Sequence, residues 1–413
     1  MSQLRPLIPL LITAGILLGG NGLQGTFISL RAAQEGFSTS LIGLVQAGYS
    51  IGFAIGCIYV TRVIREIGHI RAFSAMAAIA ASVSLAMVLV IDPLFWFLMR
   101  MLSGICFAGL FATVESWLNA AVTNSTRART LSLYRFVDLG SVTAAQYLIP
   151  GVGIDGFQLF AITAMALTLS LVPISLADRS SPTLPEAIRF DPRKLWAISP
   201  LAIVGCVVVG LTNAAFRNLG PIYAHEIGLS VTAIASFMSA GIVGGVVLQY
   251  PLGVYSDRLD RRVVILVSTL GSALAALFLV FLAGSDEWLN LAGIFVFGAF
   301  AMPAYSLCSA HANDHAANGE HALVSAGLLF FWSCGAIVGP LFASVLIELF
   351  GPRALFLYTA VVLVAFMAYT VLRMRVRPAV PAGDRRRSRF MSLLRTSSFF
   401  NKLAASAEKD RKK

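Results

Sequence analysis

The chain has 413 residues, of which 57% are hydrophobic and only 12% are charged, and its mean hydropathy is +0.80. Soluble globular proteins carry about 25% charged residues, so this composition excludes an ordinary soluble domain. The net charge of +11 does not indicate a nucleic-acid partner, because residues 373–413 alone contain 13 basic and 3 acidic side chains and leave the remainder close to neutral.

Apolar segments of about 20 residues, the length that crosses a bilayer core of about 30 Å, recur along the chain. Helices satisfy their backbone hydrogen bonds internally in lipid, so the pattern predicts an all-α membrane protein with about twelve transmembrane helices. The predicted spans lie near residues 6–30, 39–61, 72–91, 94–117, 131–151, 157–176, 195–217, 230–255, 263–283, 288–311, 321–347 and 354–372.

Basic residues are unevenly distributed between the two sides of these spans. With the N-terminus inside, the inward loops contain Arg62, Arg65, Arg71, Arg127, Arg129, Arg179, Arg189, Arg193, Lys194, Arg258, Arg261 and Arg262. The outward loops contain only Arg31, Arg217 and Arg353. The positive-inside rule therefore predicts a multi-pass protein of the cell membrane, the inner membrane in a bacterium, with both termini in the cytoplasm.

The two halves of the sequence match weakly after a shift of 192 residues. The matched pairs include Asn21 with Asn213, Gly36 with Gly228, and Ser38 with Ser230. Two parallel six-helix repeats are the architecture of one large class of transporters. We therefore predict two pseudo-symmetric six-helix bundles, a linker and a tail, at residues 1–176, 195–373, 177–194 and 374–413 respectively.

The basic tail has two interpretations. Phe390, Leu394, Phe400 and Leu403 recur at near-helical spacing among basic residues. This pattern is typical of an amphipathic helix on the anionic inner leaflet, and a solvated disordered tail explains it equally well.

The segment "PLGVYSDRLDRRVVI" (251–265) resembles the signature loop of the major facilitator superfamily, Gly-x3-Asp-Arg-x2-Arg-Arg. The resemblance implies that Gly253 permits a tight helix end and that Asp257 faces the N-terminus of a neighbouring helix. It further implies an inward charge cluster formed by Arg258, Arg261 and Arg262.

The equivalent loop of the first half departs from this pattern. Thr61 replaces the glycine and Arg65 replaces the aspartate, so the latch in that half is expected to be weaker or differently paired. "RMLSG" (100–104) resembles the fourth-helix motif Arg-x3-Gly of the superfamily. "TVESWLNAA" (113–121) and "AMPAYSLCSAHAND" (301–314) are similar to its YcaD-like branch.

The resemblance implies a secondary carrier. We separately expect that the protein is not an enzyme, that it uses no cofactor or metal, and that it is a monomer. The resemblance also implies that the first, fourth, seventh and tenth helices line a central cavity. The polar residues on these helices are Asn21, Gln24, Arg100, Asn213, Arg217 and Tyr305. A charged side chain at mid-membrane costs at least about 2.5–3.5 kcal/mol, so Arg100, roughly 9 Å below the outer boundary, is expected to face the cavity or a partner.

The roles of the other cavity candidates have more than one interpretation. The amides of Asn21 and Asn213 could contact substrate or join helices, and Arg217 could snorkel to the outer surface. Two arginines facing one cavity would favour an anionic or zwitterionic solute, which is the only clue to the substrate.

A second group of ionisable residues is expected near the inner membrane boundary. Glu115 lies roughly 31 Å along the fourth helix, and Arg135 and Asp138 are three residues apart on the fifth. Arg135 and Asp138 could neutralise each other, and Glu115 could form a structural pair with Arg135 or a serine hydroxyl. Alternatively, the three residues could form an inner gate that loosens on protonation. His311, beside Asp314, adds a titratable group, and a polar inward turn explains that cluster better than a metal site.

We therefore predict a secondary active transporter of a small solute, a symporter or an antiporter, that is coupled to protons or another ion. It would work by alternating access between its two bundles. The alternative is a membrane sensor or scaffold that keeps the fold without transport. An intramembrane enzyme is disfavoured, because it needs a convergent nucleophile, base and orienting group.

Overall fold

The computed structural model of the chain describes residues 8–120, 127–176, 191–317 and 320–376. Most of the predicted linker and nearly all of the basic tail lie outside these residues. The described part contains sixteen helices and no strand, so the predicted all-α class is confirmed. The chain divides into two compact units, Met1–Glu186 and Ala187–Lys413.

Eight helices belong to the first unit. They are α1 (Ile8–Gln34), α2 (Thr39–Ile67), α3 (His69–Leu89), α4 (Pro93–Ala120), α5 (Arg127–Gln146), α6 (Leu148–Val152), α7 (Gln158–Leu169) and α8 (Leu171–Leu176). Within this unit, α1 packs against α5, α2 against α4, and α3 against both α4 and α7.

Eight helices belong to the second unit. They are α9 (Pro192–Ile198), α10 (Pro200–Glu226), α11 (Val231–Arg258), α12 (Arg261–Phe281), α13 (Glu287–Ala301), α14 (Ala304–His315), α15 (His321–Phe350) and α16 (Ala354–Val376). Here α10 packs against α15, α11 against α13, and α12 against both α13 and α16. The second unit therefore repeats the helix pairs of the first.

Eleven segments of the described residues are long and apolar enough to cross a membrane. Each corresponds to one predicted span, and the predicted span without such a segment is the fifth, 131–151. That span carries Arg135 and Asp138, and the structure divides it at Tyr147 between α5 and α6.

Some predicted boundaries were wrong. The span predicted at 195–217 is divided at Ser199, whose Oγ accepts a hydrogen bond from Ala202 N at 3.2 Å and caps α10. Because α10 then continues to Glu226, Arg217 lies inside a helix and not in an outward loop. Arg31 likewise belongs to the last turn of α1.

The loops that open the second helix of each unit have the same geometry. Gly36 and Gly228 have φ values of 79° and 89°, a region that favours glycine. Two residues later, Ser38 and Ser230 cap the following helix, with φ of −62° in both and ψ of 156° and 158°. The predicted internal repeat is therefore visible in the backbone.

Glycines bring the helices of two equivalent pairs into close contact. A Cβ atom added at Gly104 on α4 would overlap the carbonyl oxygen of Tyr49 on α2, and one added at Gly298 on α13 would overlap that of Gly241 on α11. Small residues at such contacts let helix backbones approach each other, which is how helices associate in a membrane. These contacts fix the spacing of the helices that carry the residues described next.

Candidate functional site

Arg100 lies on α4 and is 2% exposed. Its Nη1 donates to Gln24 Oε1 at 3.1 Å, and its Nη2 donates to Gln46 Oε1 at 2.9 Å. Its Cζ lies 4.5 Å from the centroid of the Tyr49 ring, in a cation–π contact. The guanidinium is therefore held from α1 and α2 by uncharged groups.

No carboxylate of the described residues lies within 4.0 Å of this guanidinium. Arg100 Nε and Gln24 Nε2 are buried donors in this cluster. Neither has a hydrogen-bond acceptor among the described residues. Buried charges in proteins are normally paired, because an isolated charge is costly to desolvate. The cluster thus combines a buried positive charge with donors that an anion could use.

Three of the six predicted cavity residues meet in this cluster. Asn21 joins Gln24 and Arg100 because the Tyr49 hydroxyl donates to Asn21 Oδ1 at 2.8 Å. Gln46 and Tyr49 were not predicted from the sequence. The sequence did contain one signal for Gln46, because it is the only amide in the predicted span 39–61. A polar side chain in lipid is costly and so indicates a structural or functional contact.

The other three predicted cavity residues belong to the second unit. Asn213 is 7% exposed, and its Nδ2 donates to Ala301 O at 3.4 Å, at the end of α13. Arg217 on α10 and Tyr305 on α14 are half-buried. Through this contact Asn213 joins α10 to the interruption between α13 and α14.

Near the other end of the first unit, Arg135 Nη1 lies 2.9 Å from Asp138 Oδ2 in an ion pair within α5. This pair is compatible with both interpretations given for these residues, mutual neutralisation and a gate shared with Glu115. Glu115 is 1% exposed on α4, so a proton that binds it must reach a buried carboxyl group.

A neutral contact that the sequence did not predict joins α3 to α4. His69, 3% exposed at the start of α3, has its Nε2 2.9 Å from Ser116 Oγ, and its ring packs against Trp117. Ser116 directly follows Glu115 in the chain. The first unit thus has a histidine where its α2–α3 connection meets the C-terminal part of α4.

The signature loop forms a buried ion pair in the second unit. Arg261, 4% exposed, places its Nε 2.5 Å from Asp314 Oδ2 on α14. Its Nη1 also lies 3.0 Å from Asp257 Oδ1 and 3.1 Å from Ser256 Oγ. The loop between α11 and α12 is therefore fastened to the end of α14.

Asp260 and Arg262 form a second pair in this loop, with Arg262 Nη2 2.7 Å from Asp260 Oδ2. Burial alone would raise the pKa of Asp260, but hydrogen bonds from the Arg262 side chain and backbone outweigh it and lower that pKa. Arg258 is exposed at the end of α11. The expectation that Gly253 ends the helix was wrong, because α11 continues to Arg258.

His311 is 8% exposed on α14, and its ring centroid lies 4.7 Å from that of His315. His321 Nδ1 lies 2.9 Å from Asn313 Oδ1, which joins the ends of α14 and α15. The predicted polar turn therefore contains side chains that contact one another around the end of α14.

Comparison with known proteins identifies the family. The sequence profile of the Major Facilitator Superfamily matches residues 10–246 and, in a second match, 201–407. An uncharacterized MFS-type transporter of Enterobacter sp. (strain 638) is 25% identical over 378 residues, which cover 91% of this chain and 96% of that protein. The MFS-type transporter YcaD of Shigella flexneri is 25% identical over 384 residues, with the same coverage.

Solved structures share the fold. The nucleoside transporter NupG superposes with a TM-score of 0.76 at 13% identity, covering 90% of this chain and 100% of that one. A bacterial homologue of the human lysosomal transporter Spinster, inward-facing and unoccupied, gives 0.74 at 14% identity, covering 94% and 99%. The resemblance to the YcaD-like branch is thereby confirmed, and the chain belongs to the major facilitator superfamily as a multi-pass membrane transporter of a small molecule.

Proposed function

We propose that this transporter moves a small anionic or zwitterionic solute and that Arg100 binds the negative group of the solute. The observation that carries the proposal is the buried Arg100 guanidinium, held by two glutamine oxygens and a tyrosine ring. A charge inside the membrane normally faces a partner or a water-filled cavity. A carboxylate or phosphate of the solute would supply that partner.

Arginine suits this role because its planar fork of donors can hold a carboxylate or phosphate through two hydrogen bonds. Arg100 Nε and Gln24 Nε2 offer such donors beside the charge. Asn21 would contact the same solute through the network that Tyr49 closes. In the second unit, Asn213, Arg217 and Tyr305 are the residues that we assign to the solute.

We further propose that transport is coupled to protons through Glu115. This carboxyl group is 1% exposed on the helix that carries Arg100, so solute binding and protonation would act on one element. Arg135, Asp138 and His311 would complete the gate at the inner ends of their units. The protein would work as a monomer in the bacterial inner membrane, with both termini cytoplasmic and its tail on the anionic leaflet.

The test separates binding from coupling. The purified protein is screened by thermal shift with benzoate, succinate, glutamate and phosphate, and with benzamide and succinamide as uncharged controls. We expect anions, and not the amides, to stabilise the wild type. Arg100→Met should abolish that shift, and Arg100→Lys should restore it only in part, because a point charge cannot reproduce the planar fork.

Glu115→Gln should bind the stabilising anion with unchanged affinity. In proteoliposomes, however, its flux should no longer respond to an imposed pH gradient. If Arg100→Met responds to the same anions as the wild type, the anionic-substrate proposal is wrong. Binding without flux in the wild type would favour the sensor or scaffold, and normal pH dependence in Glu115→Gln would move the coupling role to Asp138.

A further inference from the structure

The side chain of Gln46 is held in one orientation. Its Nε2 donates to Gly25 O at 2.9 Å and to Ser29 Oγ at 2.5 Å, both on α1, and the residue is fully buried. Gly25 O can only accept, so the amide nitrogen must face α1. The amide oxygen must then face α4, where it accepts from Arg100 Nη2 at 2.9 Å.

This orientation has an electrostatic consequence. If the amide were reversed, its NH2 group would face the N–H donors of the guanidinium, and its oxygen would face the carbonyl oxygen of Gly25. The contact with α1 therefore excludes that orientation. Gln46 therefore fixes the direction of Arg100 without neutralising it. A glutamate at this position would have nearly the same shape and would cancel the positive charge.

We infer that Gln46 is a positioning residue that holds the Arg100 guanidinium by a neutral contact, so that the anionic group of the solute is what completes the ion pair. Gln24 Oε1 provides the second neutral contact, at 3.1 Å, and the Tyr49 ring covers one face. The inference rests on the proposed function, and it makes charge selectivity depend on a residue that need not touch the solute.

The chain offers a closely matched control in Gln146. It is 1% exposed on α5, and its Nε2 donates to Gly22 O of α1 at 3.2 Å, as that of Gln46 does to Gly25 O. Its Oε1 has no hydrogen-bond partner among the described residues. A Gln→Glu change at either position therefore loses a bond to an α1 carbonyl, but only at position 46 does it gain a pair with arginine.

The experiment compares Gln46→Glu, Gln46→Leu and Gln146→Glu with the wild type in detergent near neutral pH. Melting temperature and affinity for sodium benzoate and sodium succinate are measured. We expect Gln46→Glu to melt close to the wild type while binding the two anions about tenfold or more weakly, a loss of about 1.4 kcal/mol or more. Gln146→Glu should melt several degrees lower, because its carboxylate is buried without a cation.

Gln46→Leu tests positioning separately from charge. It removes the neutral contact without adding a carboxylate, so binding should weaken while the preference for anions over their amides remains. Wild-type affinity in either Gln46→Leu or Gln46→Glu overturns the inference. So does a fall in melting temperature for Gln46→Glu that equals the fall for Gln146→Glu, because Arg100 would then gain nothing from a carboxylate.

Failure of the proposed function gives a different result. In that case the wild type binds neither anion, yet Gln46→Glu still melts well above Gln146→Glu. That outcome would support the neutral contact between Gln46 and Arg100. It would contradict the proposal that Arg100 binds an anionic solute.

Discussion

At three matched positions beside the α2–α4 contact of the first unit and the equivalent α11–α13 contact of the second, the first unit has polar side chains and the second has apolar ones. The shift of 192 residues places Phe216 at the position of Gln24 and Met238 at that of Gln46. The matching contacts of Gly104 and Gly298 place Ile294 at the position of Arg100. Phe216, Met238 and Ile294 are all at most 3% exposed.

A Cβ added at Gly241, which matches Tyr49, would meet the Phe216 ring and Ile294. The second unit therefore fills with hydrocarbon the space that the first unit uses for its guanidinium. The two units share their loop geometry and their helix spacing, but only one carries the charge. The residues that set the helix scaffold are therefore separate from those that supply the polar chemistry within one repeat.

The connections between the second and third helices of each unit, α2–α3 and α11–α12, show the opposite distribution of charge. In the second unit, Arg261 binds Asp314 and Asp257. At the matching position of the first unit, His69 contacts the hydroxyl group of Ser116 and not a carboxylate. The substitution of Asp257 by Arg65 in the repeat explains the change, since an arginine in place of the aspartate would repel a second one at position 69.

The largest effect should come from the shared scaffold. We expect Gly104→Ala and Gly298→Ala each to abolish the folded, monodisperse protein, because the added methyl overlaps a backbone carbonyl that cannot move without separating two helices. Yield and size-exclusion profile measure this. Gly140→Ala is the control, since a methyl group there meets no atom of another helix or loop within 4 Å among the described residues. A folded Gly298→Ala beside an unfolded Gly104→Ala would show that the two contacts are not equivalent.

A smaller effect should distinguish the α2–α3 connection from the α11–α12 connection. Breaking a buried ion pair costs about 3–5 kcal/mol, and Asp257 still contacts Arg261, so we expect Asp314→Asn to destabilise the protein by about 3 kcal/mol. Ser116→Ala removes a neutral hydrogen bond and should cost only about 1 kcal/mol. Thermal unfolding in detergent compares the two. Equal losses would mean that the first unit depends on its histidine as strongly as the second depends on its ion pair.

The smallest effect concerns the caps of α3 and α12. Asp260 accepts a hydrogen bond from Arg262 N at the start of α12, whereas Gly68 offers no side chain at the start of α3. Asp260→Asn keeps a cap and removes the charge, so it should cost less than about 1 kcal/mol near neutral pH, because the pair is partly solvated.

The pH dependence has a definite sign. The folded protein lowers the pKa of Asp260 below its usual 3.8, so the ionised group stabilises the fold above that pH. The stabilisation is lost as the pH falls through the folded-state value. Wild type and Asp260→Asn should therefore approach the same melting temperature in acid. A difference that persists there would assign the effect to the geometry of the cap.

Much of the fold follows from local properties of the sequence. Apolar length locates the spans, and the matched glycine and serine at positions 36 and 38 indicate the repeat. The interruptions at Ser170 and Met302 were not predicted, because hydropathy reports how much of a segment is apolar and not whether its helix is continuous. The end of α10 was missed for the same reason, since Arg217 was taken as a boundary.

Arg100, Gln24 and Asn21 could be predicted as site residues, because polar side chains are costly in lipid and therefore stand out in an apolar span. Their partners could not be predicted, because the contact between Arg100 and Gln46 depends on how closely α2 approaches α4. The pair of Arg261 with Asp314 is a similar case, since it joins residues 53 positions apart. Charge patterns along a chain do not specify such pairs.

The close contact at Gly104 also bears on how new specificities arise. Because a backbone contact at Gly104 sets the distance between α2 and α4, we expect substitutions at Gln46 or Arg100 to leave that distance unchanged. Laboratory evolution toward a solute of different charge should therefore accumulate its first changes on the α1, α2 and α4 faces of the first unit. The apolar counterpart around Ile294 should stay unchanged, because it contributes packing and not charge.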